Sequence, residues 1–296
     1  MKILVTGGCG FIGHHLVNKL IDDGHAVTVI DNCSADNDKF YFNDKANYFK
    51  FDICNYDLIE HLFKDIDYVF HLAAESRIQS SIDNPKYAVD VNVIGTTNIL
   101  LACRKYNIKR IMYSSTSAVY GLTESFPTSE KTEIDCLNPY SSTKYAGEEM
   151  VRCFTKLYGL DSCIFRYFNV FGEDSPVTGP YSLVIGIFLD QKKNNKPLTI
   201  VGDGSSLRDF VHVDDVVNIN IKAMETEKKL NAKIFNVGGG KNYKIKDIAE
   251  YISSDIKHVE KRVGEAKTTL ADISKAKNIL NWEPTINLYD WLSKNA

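Results

Sequence analysis

Nowhere do the 296 residues contain a run of about 18 consecutive apolar side chains, so no membrane-spanning helix is expected. Charge of one sign is also missing. The 35 Lys and Arg against 38 Asp and Glu leave a net −3, which gives no basic field for nucleic acid or an anionic membrane. The seven cysteines (Cys9, Cys33, Cys54, Cys103, Cys136, Cys153 and Cys163) are scattered, odd in number and never spaced C-x-x-C. That pattern argues against zinc and against a disulfide framework, and it fits a reducing, cytoplasmic compartment. No metal site is expected. No low-complexity run or repeat interrupts the first half, and Met1 leads directly into an apolar run, so no secretory leader is expected. What remains is an ordinary soluble composition, 44% hydrophobic and 25% charged, sufficient for one large domain or two average ones.

The chain is organised around its first thirteen residues. Lys2 to Thr6 is a short β-branched run that stops at a glycine cluster, after which Phe11, Ile12, Leu16, Val17, Leu20 and Ile21 recur at helical spacing. This reads as strand, tight turn and helix. The turn carries Gly7, Gly10 and Gly13, and Gly8-x-Gly10-x-x-Gly13 fits the dinucleotide fingerprint in a second register. Glycine permits the sharp turn, the close approach of a pyrophosphate and tight helix-on-strand packing. A second apolar run, Ala26 to Ile30, ends in Asp31. A carboxylate there accepts hydrogen bonds from both adenosine ribose hydroxyls and repels a 2′-phosphate, which points to NAD rather than NADP.

Strands and helices then alternate. Tyr48 to Phe51 reads as a strand ending at Asp52-Ile53, where Asp52 either reaches the adenine edge or caps the helix Tyr56–Lys64. Tyr68 to Ala74 is the next strand. Its Ala73-Ala74 end lets a flat cofactor lie against the sheet, and His71 is read as structural. A long helix from Lys86 to Tyr106 and a strand from Ile108 to Ser115 follow, the latter running into Ser114, Ser115, Thr116 and Ser117. Asn138-Pro139 supplies an N-cap and an N1 proline for a helix ending at Gly159. Tyr140 and Lys144 lie four apart on one face of it. An ammonium beside a phenol lowers its pKa toward the working range, and a tyrosinate can take a proton from a substrate hydroxyl while carbon gives hydride to NAD. The spectrum of elements predicts an α/β fold, a Rossmann-type doubly wound parallel sheet. An NAD-binding domain over 1–168, rejoined by 202–226, precedes a smaller α/β C-terminal substrate domain over 169–296.

With those residues in place the chain resembles the extended short-chain dehydrogenase/reductase family in its nucleotide-sugar epimerase/dehydratase branch. The matches are Thr6 to Gly13, Asp31-Asn32, Asp52-Ile53, His71 to Ala74, Asn92 with Gly95-Thr96, Ser114 to Thr116, Val119 to Gly121 and Tyr140-x-x-x-Lys144. Arg166 to Gly172, Gly202 to Gly204, Arg208 to Asp215 and Asn236 to Gly238 complete them. The resemblance implies a cofactor site of Gly7, Gly10, Phe11, Ile12, Gly13, Asp31, Asn32, Asp52, Ile53, Leu72, Ala73, Ala74, Asn92, Ser114, Tyr140 and Lys144. It also implies Tyr140 as base, Lys144 as its partner and ribose anchor, and Thr116 as the hydroxyl bonding the sugar at C4. Thr116, Ser117, Asn169, Arg208, Arg262, Glu265 and Thr269 are the implied substrate contacts, with a UDP-sugar as ligand and a homodimer as assembly. Arg208 suits a phosphate clamp, and a salt bridge with Asp209 or Asp214 is the alternative. Asp214-Asp215 is read as a helix N-cap with a first-turn acid, and His212 as structural.

Dehydratases of this branch follow the threonine with Asp-Glu, and decarboxylases carry Glu at the second place; here Ser117 and Ala118 stand there. A 4-epimerase that oxidises C4, re-presents the other ketone face and returns hydride is therefore expected ahead of a 4,6-dehydratase, decarboxylase or reductase. A non-catalytic NAD sensor is disfavoured by the presence of Tyr140, Lys144 and Thr116. Thr269 falls where some epimerases carry a large aromatic, so UDP-GlcNAc/UDP-GalNAc is expected as well as UDP-glucose/UDP-galactose. The dimer is expected through the helices of Asn92 and Tyr140, with Leu100, Leu101, Met150 and Phe154 on the contact face or against their own sheet.

Overall fold

A computed structural model describes residues 1–35, 40–177, 183–260 and 266–296. Its strands, in chain order, are β1 (Lys2–Thr6), β2 (Ala26–Ile30), β3 (Asn47–Phe49), β4 (Tyr68–His71), β5 (Arg110–Thr116) and β6 (Ser162–Tyr167). They are followed by β7 (Asn169–Phe171), β8 (Leu198–Val201), β9 (Leu207–His212), β10 (Lys233–Val237), β11 (Asn242–Lys244) and β12 (Ile256–Val259). The first six and β10 form one parallel sheet in the order β3-β2-β1-β4-β5-β6-β10. The chain runs outward in one direction from β1 to β3 and in the other from β4 to β10. A crevice therefore opens beyond the carboxyl ends of β1 and β4, where the winding reverses.

Alternation along each strand builds two apolar layers. In β1, Ile3 and Val5 join Leu16, Val17, Phe70 and Met112 on one side, beneath helices Phe11–Asp22 and Val213–Glu225. Leu4 joins Val69, Ile99, Ile111 and Val151 on the other, beneath helices Thr96–Lys105 and Pro139–Tyr158. A third cluster lies apart from the main sheet. Phe171, Phe188, Ile200, Ile248, Trp291 and Leu292 pack there around the sheets β11-β9-β7 and β12-β8.

The structure departs from the sequence reading at a π-turn and at a helix N-cap, and it sharpens that reading in two further places. Of the 202–226 stretch, β9 pairs with β7 and β11, and the helix Val213–Glu225 is what covers the main sheet. The seventh strand of that sheet is β10, downstream. The helix expected over 86–106 contains a π-turn, Asp90–Gly95, between α-helical Pro85–Val89 and Thr96–Lys105. Gly95 sits in it because a Cβ would fall 2.6 Å from Ile53 Cδ1. The N-cap of Val213–Glu225 is His212, whose Nδ1 accepts from the Asp214 N–H at 3.2 Å, so Asp214 and Asp215 are both first-turn acids. Leu100 and Phe154 are buried in the chain's own core, whereas Leu101 is exposed. Among the described residues no helix is long and apolar enough to cross a membrane.

One polar contact lies inside the second layer. Glu148, on helix Pro139–Tyr158, meets Arg166 of β6 through Arg166 Nε to Oε1 at 2.9 Å and Nη2 to Oε2 at 2.6 Å, with both side chains almost fully buried. Ser115 of β5 donates to the same Oε1 at 2.5 Å. The two-pronged geometry offsets part of the cost of removing both charges from water. Glu148→Ala leaves a buried guanidinium without its carboxylate and is expected to cost about 3–5 kcal/mol in urea unfolding. Glu148→Leu combined with Arg166→Met should recover most of that loss. A Glu148→Ala protein as stable as wild type would refute the assignment.

Candidate active site

The cofactor half of the site begins at the glycine turn. Gly7 has φ of +74°, and a Cβ there would lie 2.6 Å from the Ala73 nitrogen on β4's extension. At Gly13 a Cβ would come 2.0 Å from the Gly7 carbonyl oxygen, so helix and turn can touch only without it. Gly10 differs. Its φ of −83° suits any residue, and the nearest atom to a Cβ is the Gly7 oxygen at 3.5 Å. Packing does not demand glycine at that position; its bare flank lines the cavity instead. Gly10 is also the N-cap of helix Phe11–Asp22, which has no side-chain cap and no acid in its first turn. An uncapped helix N-terminus beside an open glycine fits the pyrophosphate of a dinucleotide.

The ribose end is equally built. Asp31 accepts from the Cys9 N–H at 2.9 Å on one oxygen and from the Cys33 N–H at 2.8 Å on the other, which fixes its carboxylate plane. Asn32 donates to Asp52 at 3.0 Å, joining the ends of β2 and β3. Asp52 also accepts from the Cys54 N–H at 2.8 Å, while the N-cap position of the short helix Tyr56–Ile59 belongs to Asn55. His71 is buried between the hydroxyls of Thr6 at 2.7 Å and Thr96 at 3.0 Å, and burial holds it neutral with its pKa lowered to about 3.

The glycine turn and the Asp31, Asn32 and Asp52 side chains border one cavity of about 900 Å³. Phe11, Ile12, Gly13, Asp31, Asn32 and Asp52 face it at one end, with Ile53, Leu72, Ala73 and Ala74 along its wall. Ser114, Thr116, Ser117, Tyr140 and Lys144 face it at the other, with Asn169, Arg208 and Thr269 opposite them. Asn92 is the departure. It is fully buried, and its amide is spent on the Glu75 N–H, the Glu75 carbonyl and Thr143 Oγ1, each at 2.9 Å. The π-turn aims it at these partners, so it braces the loop after β4 and does not border the cavity. Arg262 and Glu265 lie outside the described residues.

Tyr140 and Lys144 are placed by their helix. Asn138 accepts from the Ser141 N–H at 2.9 Å and Ser141 Oγ accepts from the Asn138 N–H at 3.3 Å, a reciprocal cap that sets the helix start. The Tyr140 N–H donates to Ser81 Oγ at 3.0 Å. Two turns along the helix, Gly147 allows it to close on β5, since a Cβ would lie 2.1 Å from the Tyr113 hydroxyl. Lys144 Nζ then sits 4.4 Å from the centre of the Tyr113 ring. Burial raises the Tyr140 pKa, with the Glu75 charge adding to it and the Thr116 hydroxyl working against it. Burial also brings Lys144 down to about 7, partly countered by Glu148. In the free protein, desolvation thus outweighs the mutual stabilisation expected of this pair. Thr116 Oγ1 accepts from the Ala118 N–H at 3.1 Å, and its hydroxyl also meets that of Tyr140.

On the opposite wall, Asn169 Nδ2 donates to the Asp209 carbonyl at 2.7 Å, and Thr269 Oγ1 accepts from the Asp209 N–H at 3.0 Å. The Asp209 carboxylate takes the N–H groups of Gly239 at 2.5 Å, Gly240 at 3.2 Å and Ala271 at 2.8 Å. Arg208 Nη1 donates to the carbonyls of Leu207 and Lys267. Sequence reasoning overlooked Glu75, Gly147, Glu148 and the Ser81 contact. The available signals were a Glu four residues past Lys144, on the same helix face, and an Arg inside the apolar run Cys163 to Tyr167.

Residues 3–238 match the model of the NAD dependent epimerase/dehydratase family. A putative UDP-glucose 4-epimerase of Methanocaldococcus jannaschii is 39% identical over 99% of this chain and 96% of that protein. A crystal structure of UDP-glucose 4-epimerase from Thermotoga maritima with UDP-glucose superposes with a TM-score of 0.94 at 33% identity, over 100% of this chain and 97% of that one. The UDP-N-acetylglucosamine 4-epimerase of Methanobrevibacter ruminantium, in complex with UDP-N-acetylmuramic acid, gives 0.92 at 34%, over 99% and 96%.

The lowered Lys144 pKa carries a sign that can be checked. Between about 7 and the ordinary value of 10.5 the unfolded chain holds a proton that the folded one has lost. The penalty of burying this ammonium is therefore full below about pH 7 and fades as pH rises. Relative to Lys144→Met, wild-type stability in urea should climb from pH 7 to 9.5. A constant difference across that range would show that Lys144 titrates normally.

Proposed function

The chain belongs to the NAD dependent epimerase/dehydratase family, and within it we propose a nucleotide-sugar 4-epimerase acting on UDP-sugars. The observation that carries this reading is the meeting of Tyr140, Lys144 and Thr116 at one end of the dinucleotide cavity, with Ser117 and Ala118 beside them where a dehydratase carries its acid–base pair. NAD, when bound, supplies the acceptor and later the donor of the C4 hydride. Tyr140 Oη takes the proton of the C4 hydroxyl and returns it to the same oxygen, while Thr116 donates to that oxygen and keeps it in place. Lys144 in its charged form stabilises the phenolate and holds the ribose. Serine and alanine at 117 and 118 cannot drive elimination across C5–C6, so the oxidised sugar turns and is reduced from its other face.

The same reading takes residues 169–296, with Asn169, Arg208, Arg262, Glu265 and Thr269, as the wall that holds the UDP-sugar, and residues 1–168 as the NAD-binding unit. The side chain at 269 is a threonine on the cavity wall, which favours acceptance of an N-acetyl group at C2. Exposed Ile94 and Leu101, seven residues apart, and Leu157 on the neighbouring helix support a homodimer through these two helices. The seven cysteines, all unpaired, support a cytoplasmic location.

Purified protein without added reductant, given UDP-GlcNAc or UDP-glucose and followed by proton NMR, should form the C4 epimer. Accumulation of a 4-keto product would replace epimerisation by elimination or simple oxidation. Tyr140→Phe should lower turnover by about 10²–10⁴-fold while NAD remains bound; near-normal turnover would remove the proposed base. Thr269→Tyr should abolish conversion of the N-acetyl sugar in preference to that of UDP-glucose, and equal losses on both would sink the specificity argument.

A further inference from the structure

His14 and His15 open the first helix on the side away from the reactive end. His14 Nδ1 lies 3.0 Å from the Gly10 carbonyl oxygen. A carbonyl can only accept, so the ring proton resides on Nδ1 and the Nε2 lone pair is left facing outward. What Nε2 faces is the Asp174 carboxylate, 3.3 Å away and 160 residues later in the chain. With His14 neutral, two acceptors confront each other across that gap, and either a second ring proton or a cation between them relieves it. A ring nitrogen of His15 completes the cluster, and the three donor atoms lie within 4.8 Å of one another.

The surroundings are those of a metal ligand. A metal-bound histidine characteristically donates its second ring N–H to a carbonyl or carboxylate, and His14 does so to Gly10. Tyr41 stacks on the His14 ring at 4.0 Å and 16°, which holds the imidazole in place. The His14 side chain is 5% exposed, against 43% for Asp174, so the buried nitrogen is fixed and the carboxylate keeps access to solvent. In a tetrahedral site with bonds near 2.0–2.1 Å, ligand atoms stand roughly 3.3–3.4 Å apart, which the His14–Asp174 separation already meets.

We propose that His14, His15 and Asp174 form a site for a divalent transition-metal ion of the Zn²⁺ class, with water as the remaining ligand. Two imidazoles and a carboxylate suit such an ion and not Ca²⁺ or Mg²⁺, which prefer all-oxygen shells. The ion would tie the turn that carries Gly10 to the loop that follows β7, and so brace the cofactor turn from outside the cavity.

The test uses the full chain, stripped with a chelator and titrated with Zn²⁺ alone by calorimetry, and with Co²⁺ alone followed by visible absorption. One equivalent should bind, with the Co²⁺ d–d bands of a four- or five-coordinate N/O site. His14→Ala and, separately, Asp174→Asn should weaken binding by at least about tenfold. Asn tolerates the φ of 60° at position 174, so that variant removes the charge without straining the loop. Cys33→Ser, which breaks the only other described cluster of this kind (Cys9, Asp31 and Cys33), should bind as wild type does. The proposal is overturned by absence of stoichiometric binding, by binding unchanged in both His14→Ala and Asp174→Asn, or by loss of binding in Cys33→Ser.

Discussion

Glu148 and Arg166 meet beneath the reactive groups, out of reach of water, and Ser115 completes the carboxylate's hydrogen bonds. A charge in that position is tolerated only with its partner in place. The pair therefore locks helix Pro139–Tyr158 to β5 and β6 in one register. Tyr140 and Lys144 ride on that helix, and Ser114 and Thr116 flank Ser115 on β5. The Arg166 guanidinium also lies 4.8 Å from the Tyr120 ring, whose hydroxyl donates to Asn236 Oδ1 at 2.6 Å. Asn236 in turn reaches the Thr128 carbonyl at 2.8 Å. The 3₁₀ turn after β5, strand β10 and the loop at 128 are thus held to one another through polar contacts that start from the same arginine.

Desolvation governs the chemistry of the site as much as proximity does. The burial that positions Lys144 over Tyr113 removes the water that would keep it charged, and the same burial keeps Tyr140 protonated. A positively charged group brought into the cavity beside Tyr140 would shift this balance toward the phenolate. In the empty cavity burial holds the tyrosine as a phenol.

Local patterns made much of this molecule legible in the sequence. The glycine turn, the Asp31 strand end, the Asn138-Pro139 start and the Tyr140/Lys144 spacing depend on residues within a turn or two of each other, and propensity and periodicity report on that range. Contacts between distant segments were not legible. Asn92 had the family's residue type in the expected place, yet a π-turn directs it to Glu75 and Thr143. The strand that closes the main sheet is β10 and not part of 202–226, because the intervening β9 finds partners in β7 and β11. The Glu148–Arg166 pair had a visible component in each partner, but nothing in a single sequence joins residues on different elements. His14 and Asp174 are a further case of the same kind.

Thr269 stands on the cavity wall, and its hydroxyl also receives the Asp209 N–H, while the Asp209 carboxylate gathers the backbone of Gly239, Gly240 and Ala271. A side chain on the cavity wall is thereby a structural member of the junction between three chain segments. Selectivity for one sugar over another cannot drift freely at this position. Any replacement lacking the hydroxyl oxygen leaves a buried N–H without its acceptor, at about 1–3 kcal/mol. Lineages that change substrate through residue 269 must therefore pass through less stable proteins or first acquire a compensating change near Asp209, so that the history of specificity in this fold is constrained by the mechanics of one loop.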